Sequence, residues 1–115
     1  MRPEALKLFV DMRMACDDVV QFVSGRTRED LDTDPMLRAA IERKLQIVGE
    51  ALAQLFRVER TQAERISSAQ RIVSFRNIVV HSYADLDMDL VWELIRSHLP
   101  SLRRELEAII REAGQ

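Results

Sequence analysis

The sequence predicts an all-α protein, an antiparallel bundle of four or five helices, and three observations carry that prediction. Apolar residues make up 47% and charged residues 31% of the 115 positions, and the apolar ones recur at three- and four-residue steps, the period of an amphipathic helix. Only three glycines and three prolines interrupt the chain. Apart from a few valine runs, the β-branched clustering of a strand protein is missing. A chain of this length forms one domain, residues 1–115, and buries roughly two-thirds of the surface it exposes when open.

The first helix follows from residues 3–24, where Ala5, Leu8, Phe9, Met12, Cys16, Val19, Val20 and Val23 form one stripe and Gly25 follows as a stop. Residues 26–34 are polar, with Thr27-Arg28-Glu29-Asp30 as a short capped turn. Asp34-Pro35 then supplies an N-cap and a proline at the first helical position, so a second helix begins there. Its stripe is Leu37, Ala40, Ile41, Leu45, Val48, Leu52, Leu55 and Phe56. Gly49 sits in mid-helix at a cost of about 1 kcal/mol, which points to close approach by another helix. Beyond an arginine-rich connector, Ser67 and Ser68 offer N-caps for a third helix carrying Ile72, Val73, Phe75, Ile78, Val79 and Val80. Residues 82–87 read as a turn, and Asp87 caps a fourth helix with Leu90, Val91, Leu94, Ile95 and Leu99 inward. Pro100 kinks or divides that helix before Leu102, Leu106, Ile109 and Ile110 continue its period.

Composition narrows the function classes. A net charge of −2 gives no global attraction to nucleic acid, so phosphate binding requires a local patch. The stretch from Arg57 to Arg76 has one, with Arg57, Arg60, Arg65, Arg71 and Arg76 against Glu59 and Glu64. Of 17 cationic side chains 15 are arginine, the residue that grips phosphate bidentately. Arg65 and Arg71 are the candidate phosphate contacts, and a solvated, salt-bridged helix surface would have the same composition. No apolar run reaches the roughly 18 to 20 residues that cross a bilayer, and Met1-Arg2-Pro3-Glu4 lacks a signal core; a cytoplasmic protein is expected. The lone Cys16 falls on an apolar face and reads as a core thiol.

One segment, Arg76-Asn77-Ile78-Val79-Val80-His81-Ser82-Tyr83, combines a permanent cation, an imidazole and the chain's only tyrosine. An imidazole titrating near neutrality beside a guanidinium suits RNA transesterification: the base takes the ribose 2′-hydroxyl proton and the cation stabilises charge growing on phosphorus. That chemistry needs no metal and no cofactor, and the paired His or Cys spacing of a metal site is missing. On a straight helix Arg76 and His81 lie roughly 140° apart around the axis and roughly 7.5 Å along it, so they do not share a face. Either the helix unwinds at His81 or a second copy of the helix completes the site. Asn77, four residues before His81, is placed to orient the imidazole. A helix-capping His, a surface Arg and a packing Tyr would account for the same spacing structurally. His98 reads as a cap, and Trp92 as a core or interface residue.

These residues resemble the Arg-x4-His-x-Tyr motif of HepT-like toxins, ribonucleases of the HEPN class. Ile47-Val48-Gly49-Glu50-Ala51 is similar to the family's mid-helix Gly-Glu-Ala segment, and Val91-Trp92 with Leu99-Pro100 to its C-terminal pattern. The resemblance covers essentially the whole chain. It implies a homodimeric HEPN-type bundle in which Arg76 and His81 of both protomers meet in a composite, metal-independent RNase site. It also implies an antitoxin partner, a minimal nucleotidyltransferase that places AMP groups from ATP on Tyr83. The connector from Arg57 to Ser68 departs from the family in lacking the Pro-Trp pair that often precedes the motif helix. A non-catalytic HEPN-like partner of such a nucleotidyltransferase is the competing class.

Overall fold

A computed structural model describes residues 1–69, 72 and 87–114, most of them helical, with no strand among them. Helix α1 (Pro3–Val23) opens on proline and buries Ala5, Leu8, Phe9, Met12, Ala15, Cys16 and Val19. It ends where expected: the chain turns at Gly25, whose φ of 75° is open to glycine without a Cβ penalty. The polar connector is more structured than its composition suggests. Thr27 N–H donates to Asp30 Oδ2 at 2.7 Å, and the single helical turn α2 (Asp30–Thr33) drops Leu31 into the core, fully buried.

Helix α3 (Pro35–Val58) starts at the predicted cap, with Leu37 N–H donating to Asp34 Oδ1 at 3.1 Å. Leu37, Ile41, Leu45, Val48, Leu52 and Leu55 are buried, as are Gly49 and Ala51, whereas Ala40 and Phe56 are half-buried. A short turn, α4 (Arg60–Ala63), follows where the sequence suggested only a connector; it buries Ala63, and Ile66 is buried beyond it. Helix α5 (Met88–Glu93) is capped by Asp87, whose Oδ1 accepts from Asp89 N–H at 2.9 Å.

The region around Pro100 differs in kind from a kink or a break. Between α5 and α6 (Leu99–Ala113) the chain makes a π turn over Leu94–His98, in which Leu99 N–H bonds the carbonyl of Leu94. Proline has no N–H, and its ring collides with the carbonyl four residues back. Widening the preceding turn by one residue accommodates both defects while the helix carries on. One further expectation is corrected here: Leu90 is 44% exposed instead of inward. His98 stands at the N-cap position of α6 and makes no side-chain cap hydrogen bond there.

Ion pairs fix the helix directions. Arg2 N–H donates to Glu59 Oε2 at 3.0 Å at one end of the α1–α3 pair, and Lys44 meets Asp18 at 2.9 Å towards the other, so α1 and α3 are antiparallel. Arg28 holds Asp89 near the N-terminal end of α3, while Arg65, just beyond its C-terminal end, pairs with Glu112. The α5–α6 run is therefore codirectional with α3 and antiparallel to α1, which it also meets through Arg103 and Asp17 at 2.8 Å. The core between them contains Phe9, Met12, Leu52, Leu55, Val91 and Leu106, each under 2% exposed and each worth roughly 1.5–3 kcal/mol on removal from water.

No helix among the described residues is long and apolar enough to cross a membrane. Cys16 is fully buried. Desolvation first, and Asp17 second, push its thiol up to about 12, with Arg103 opposing them. The native thiol should therefore resist an aromatic disulfide reagent at mildly alkaline pH and react with one equivalent in concentrated guanidinium chloride; rapid native labelling would contradict this burial. Because the thiol ionises near 9.0 when unfolded and about 12 when folded, its contribution to stability should be complete below the first value and fall as pH rises between the two.

Candidate functional site

Arg71, Arg76, Asn77, His81 and Tyr83 lie outside the described residues, and the structure defines the frame on either side of them. On the entering side the anchor is Ser67. Its N–H donates to Glu105 Oε2 at 3.0 Å and its hydroxyl to Glu105 Oε1 at 2.9 Å, so one carboxylate of α6 receives both groups. Ser67 thus spends on Glu105 the hydroxyl that the sequence offered as a cap. The carbonyl of Ser68 instead accepts from Ile72 N–H at 3.0 Å, and Ala69 is the first helical residue, which puts Ser68 in the N-cap position.

On the leaving side a second carboxylate does the anchoring. Asp89, in the first turn of α5, accepts from Arg28 Nε at 2.7 Å. Arg28 also lies 3.1 Å from Asp32 through Nη1, a charge contact without hydrogen-bond geometry. The hydrogen bond it donates to Asp89 is the main cause holding the Arg28 guanidinium above its ordinary value. Sequence reasoning passed over both anchors. Asp89 meets a residue 61 positions away and Glu105 one 38 positions away, which helical periodicity does not reveal.

Between the anchors, a small apolar cavity is lined by Leu45, Val48, Ile72, Leu94, His98 and Leu99. Ile72, four residues before Arg76, is 8% exposed there. The π turn brings His98 to this wall, which Ile72 also lines. Trp92 packs half-buried against the core with the Arg96 guanidinium 5.8 Å from its ring centroid, in line with a core or interface role. In the Gly-Glu-Ala segment Glu50 is half-buried on the surface of α3 and accepts from Gln46 Nε2 at 3.1 Å. Glu42, two turns earlier, is held above the usual carboxylate range by desolvation, partly offset by Arg38. No group of three or more His, Cys, Asp or Glu among the described residues is placed to hold a metal ion.

The basic patch is partly neutralised. Arg65, a candidate phosphate contact, pairs with Glu112 in the last turn of α6. Arg60 pairs with Glu64 at 3.0 Å and lies 5.3 Å from the ring centroid of Phe56. Both pairs are solvent-exposed, so each is worth at most about 1 kcal/mol and can yield to a phosphate.

Comparison with known proteins decides the family, because the model described as "Ribonuclease HepT-like" matches residues 12–109. The chain belongs to the HepT-like ribonuclease family. Among relatives, "Putative RNase TTE0752" of Caldanaerobacter subterraneus subsp. tengcongensis is 28% identical over 97 residues, covering 84% of this chain and 86% of that protein. "Putative RNase MJ1380" of Methanocaldococcus jannaschii is 26% identical over 99 residues, 86% of this chain and 90% of its own length. "Putative RNase MJ0125" of the same archaeon is 25% identical over 108 residues, 93% of this chain and 92% of its length. No solved structure matches significantly. The HepT-like match extends across the motif and both of its carboxylate anchors.

If Glu105 anchors the entry to the motif segment, Glu105→Ala should lower stability by about 1 kcal/mol in urea titration. It should also speed hydrogen exchange at the Ser67 amide selectively. Unchanged Ser67 protection would remove Glu105 from this role.

Proposed function

We propose that this chain is the toxin of a toxin–antitoxin pair, an endoribonuclease that cleaves RNA by 2′-hydroxyl transesterification without a metal ion. The observation that carries the reading is the HepT-like match over residues 12–109, which contains Arg76, His81 and Tyr83 together. His81 acts as the general base. It removes the 2′-hydroxyl proton, the 2′-oxygen attacks phosphorus, and the bond to the 5′-oxygen breaks as that oxygen takes a proton from an imidazolium. Arg76 stabilises the charge that accumulates on the phosphorane oxygens, and Asn77 orients the imidazole. Arg71 contributes to phosphate binding, and Arg65 does so when phosphate displaces Glu112.

The site is composite. Because a straight helix turns Arg76 and His81 away from each other, a second copy of the chain supplies the complementary half, and the working enzyme is a homodimer acting in the cytoplasm. The partner is a nucleotidyltransferase antitoxin. It transfers AMP from ATP to the Tyr83 phenol oxygen with loss of pyrophosphate. The added phosphodiester puts negative charge and bulk near Arg76 and repels the RNA phosphate.

A single assay in EDTA tests the reading and separates it from that of a non-catalytic helical partner. Purified protein should cleave single-stranded RNA, and Arg76→Ala and His81→Ala should each lose about 100-fold or more in rate. Treatment with ATP and the nucleotidyltransferase should silence the wild type and add AMP masses to it, but not to Tyr83→Phe. Equal cleavage by all three untreated proteins would refute the catalytic assignment.

A further inference from the structure

We propose that the open groove between the end of α3 and the Ser67–Ala69 turn is a subsite for an unpaired RNA base, stacked against Phe56 and Arg60. The inference rests on the ribonuclease reading and specifies the substrate as single-stranded beside the cleaved bond. The groove has a volume of about 470 Å³ and is lined by Phe56, Arg60, Glu64, Ile66, Ser67 and Ser68 among others.

Its chemistry favours a flat heteroaromatic ligand over a protein segment. Ile66 and Ala69 are 2% and 6% exposed, so they form the floor, and the half-buried Phe56 ring is the apolar surface the groove presents. A docking helix needs anchors at three- and four-residue steps, and one ring cannot supply them. One ring with a guanidinium 5.3 Å from its centroid is instead the combination on which unstacked bases are held. The Arg60–Glu64 pair is more than half exposed on both sides. Arg60 can therefore leave Glu64 for a phosphate while its plane covers the base.

Placement points the same way. Ser68 lines both this groove and the apolar cavity that holds Ile72. The groove thus adjoins the turn from which the chain enters the motif segment. Arg57, next to Phe56, is exposed and has no ion pair among the described residues, which leaves a cation for the bound strand's backbone. Only an unpaired nucleotide can offer its base face to the ring, so duplex RNA is excluded from the subsite.

The test uses the full-length protein and a fluorescein-labelled 2′-O-methyl oligoadenylate, which cannot be cleaved, followed by anisotropy. Phe56→Leu keeps an apolar side chain on the core and should weaken binding roughly 5- to 100-fold. Phe56→Trp should retain affinity, and Arg60→Ala, a change at an exposed side chain, should weaken it roughly 3-fold or more. A duplex of the same sequence should be insensitive to Phe56→Leu. The subsite is overturned if Phe56→Leu, folded by circular dichroism, and Arg60→Ala both bind within twofold of wild type, or if wild type does not bind the probe. Cleavage of natural RNA by the wild type is scored separately. Cleavage with an unchanged KM in Phe56→Leu sinks the subsite alone, and absence of cleavage sinks the ribonuclease reading.

Discussion

The apolar stripe of α3 is the surface on which the rest of the molecule is laid out. Leu37, Ile41, Leu45, Val48, Leu52 and Leu55 are all buried, and they serve two clients. Helix α1 lies antiparallel along α3, pinned by Glu59 at one end and Asp18 at the other. Leu45 and Val48 also line the cavity that receives Ile72 and the π turn of the C-terminal helices. Truncating a residue of this stripe would loosen the α1 seam and the entry to the motif segment together, because both bury apolar area against one helix.

Around that stripe, charge is used to register chain ends more than to supply stability. Exposed ion pairs contribute little individually, yet several here join elements far apart in sequence. Arg28 links the α1–α3 connection to the first turn of α5, and Glu105 gathers Ser67 from the opposite approach. These two carboxylates bracket the segment that contains Arg76 and His81. The same weakness of exposed pairs allows Arg60 and Arg65 to be held by glutamates in the free protein and still be available to an incoming phosphate backbone.

Much of the fold was legible in the sequence wherever one local cause dominated. Asp34-Pro35 and Asp87 announced the starts of α3 and α5 through short-range capping chemistry, and both side chains accept the expected backbone N–H groups. The stripe of α1 was readable from its period. Illegible were features set by tertiary partners. Leu31 hides in a polar stretch because one helical turn is enough to bury it. The π turn arises from a competition between the proline ring and the packing of residues on both sides of it, so the proline alone did not specify it. The pairing of Arg65 with Glu112 spans 47 positions, beyond what a helical wheel can show. Of the candidate site residues, the motif's types and spacing could be read, while its anchors Glu105 and Asp89 could not, since each acts on a residue distant in the chain.

The proposed function depends on the geometry of one helix. On a straight helix five residues of separation would set Arg76 and His81 roughly 140° apart, so on the proposed reading neither protomer contains a working pair, and catalysis is a property of the dimer. Mixing the two inactive variants tests that most directly. Arg76→Ala and His81→Ala subunits, unfolded together and refolded, should recover cleavage well above the sum of the separate proteins, approaching roughly a quarter of wild type if half the dimers are mixed and each regains one of two pairs. A mixture no more active than its parents, beside a wild type that cleaves, would contradict the shared site.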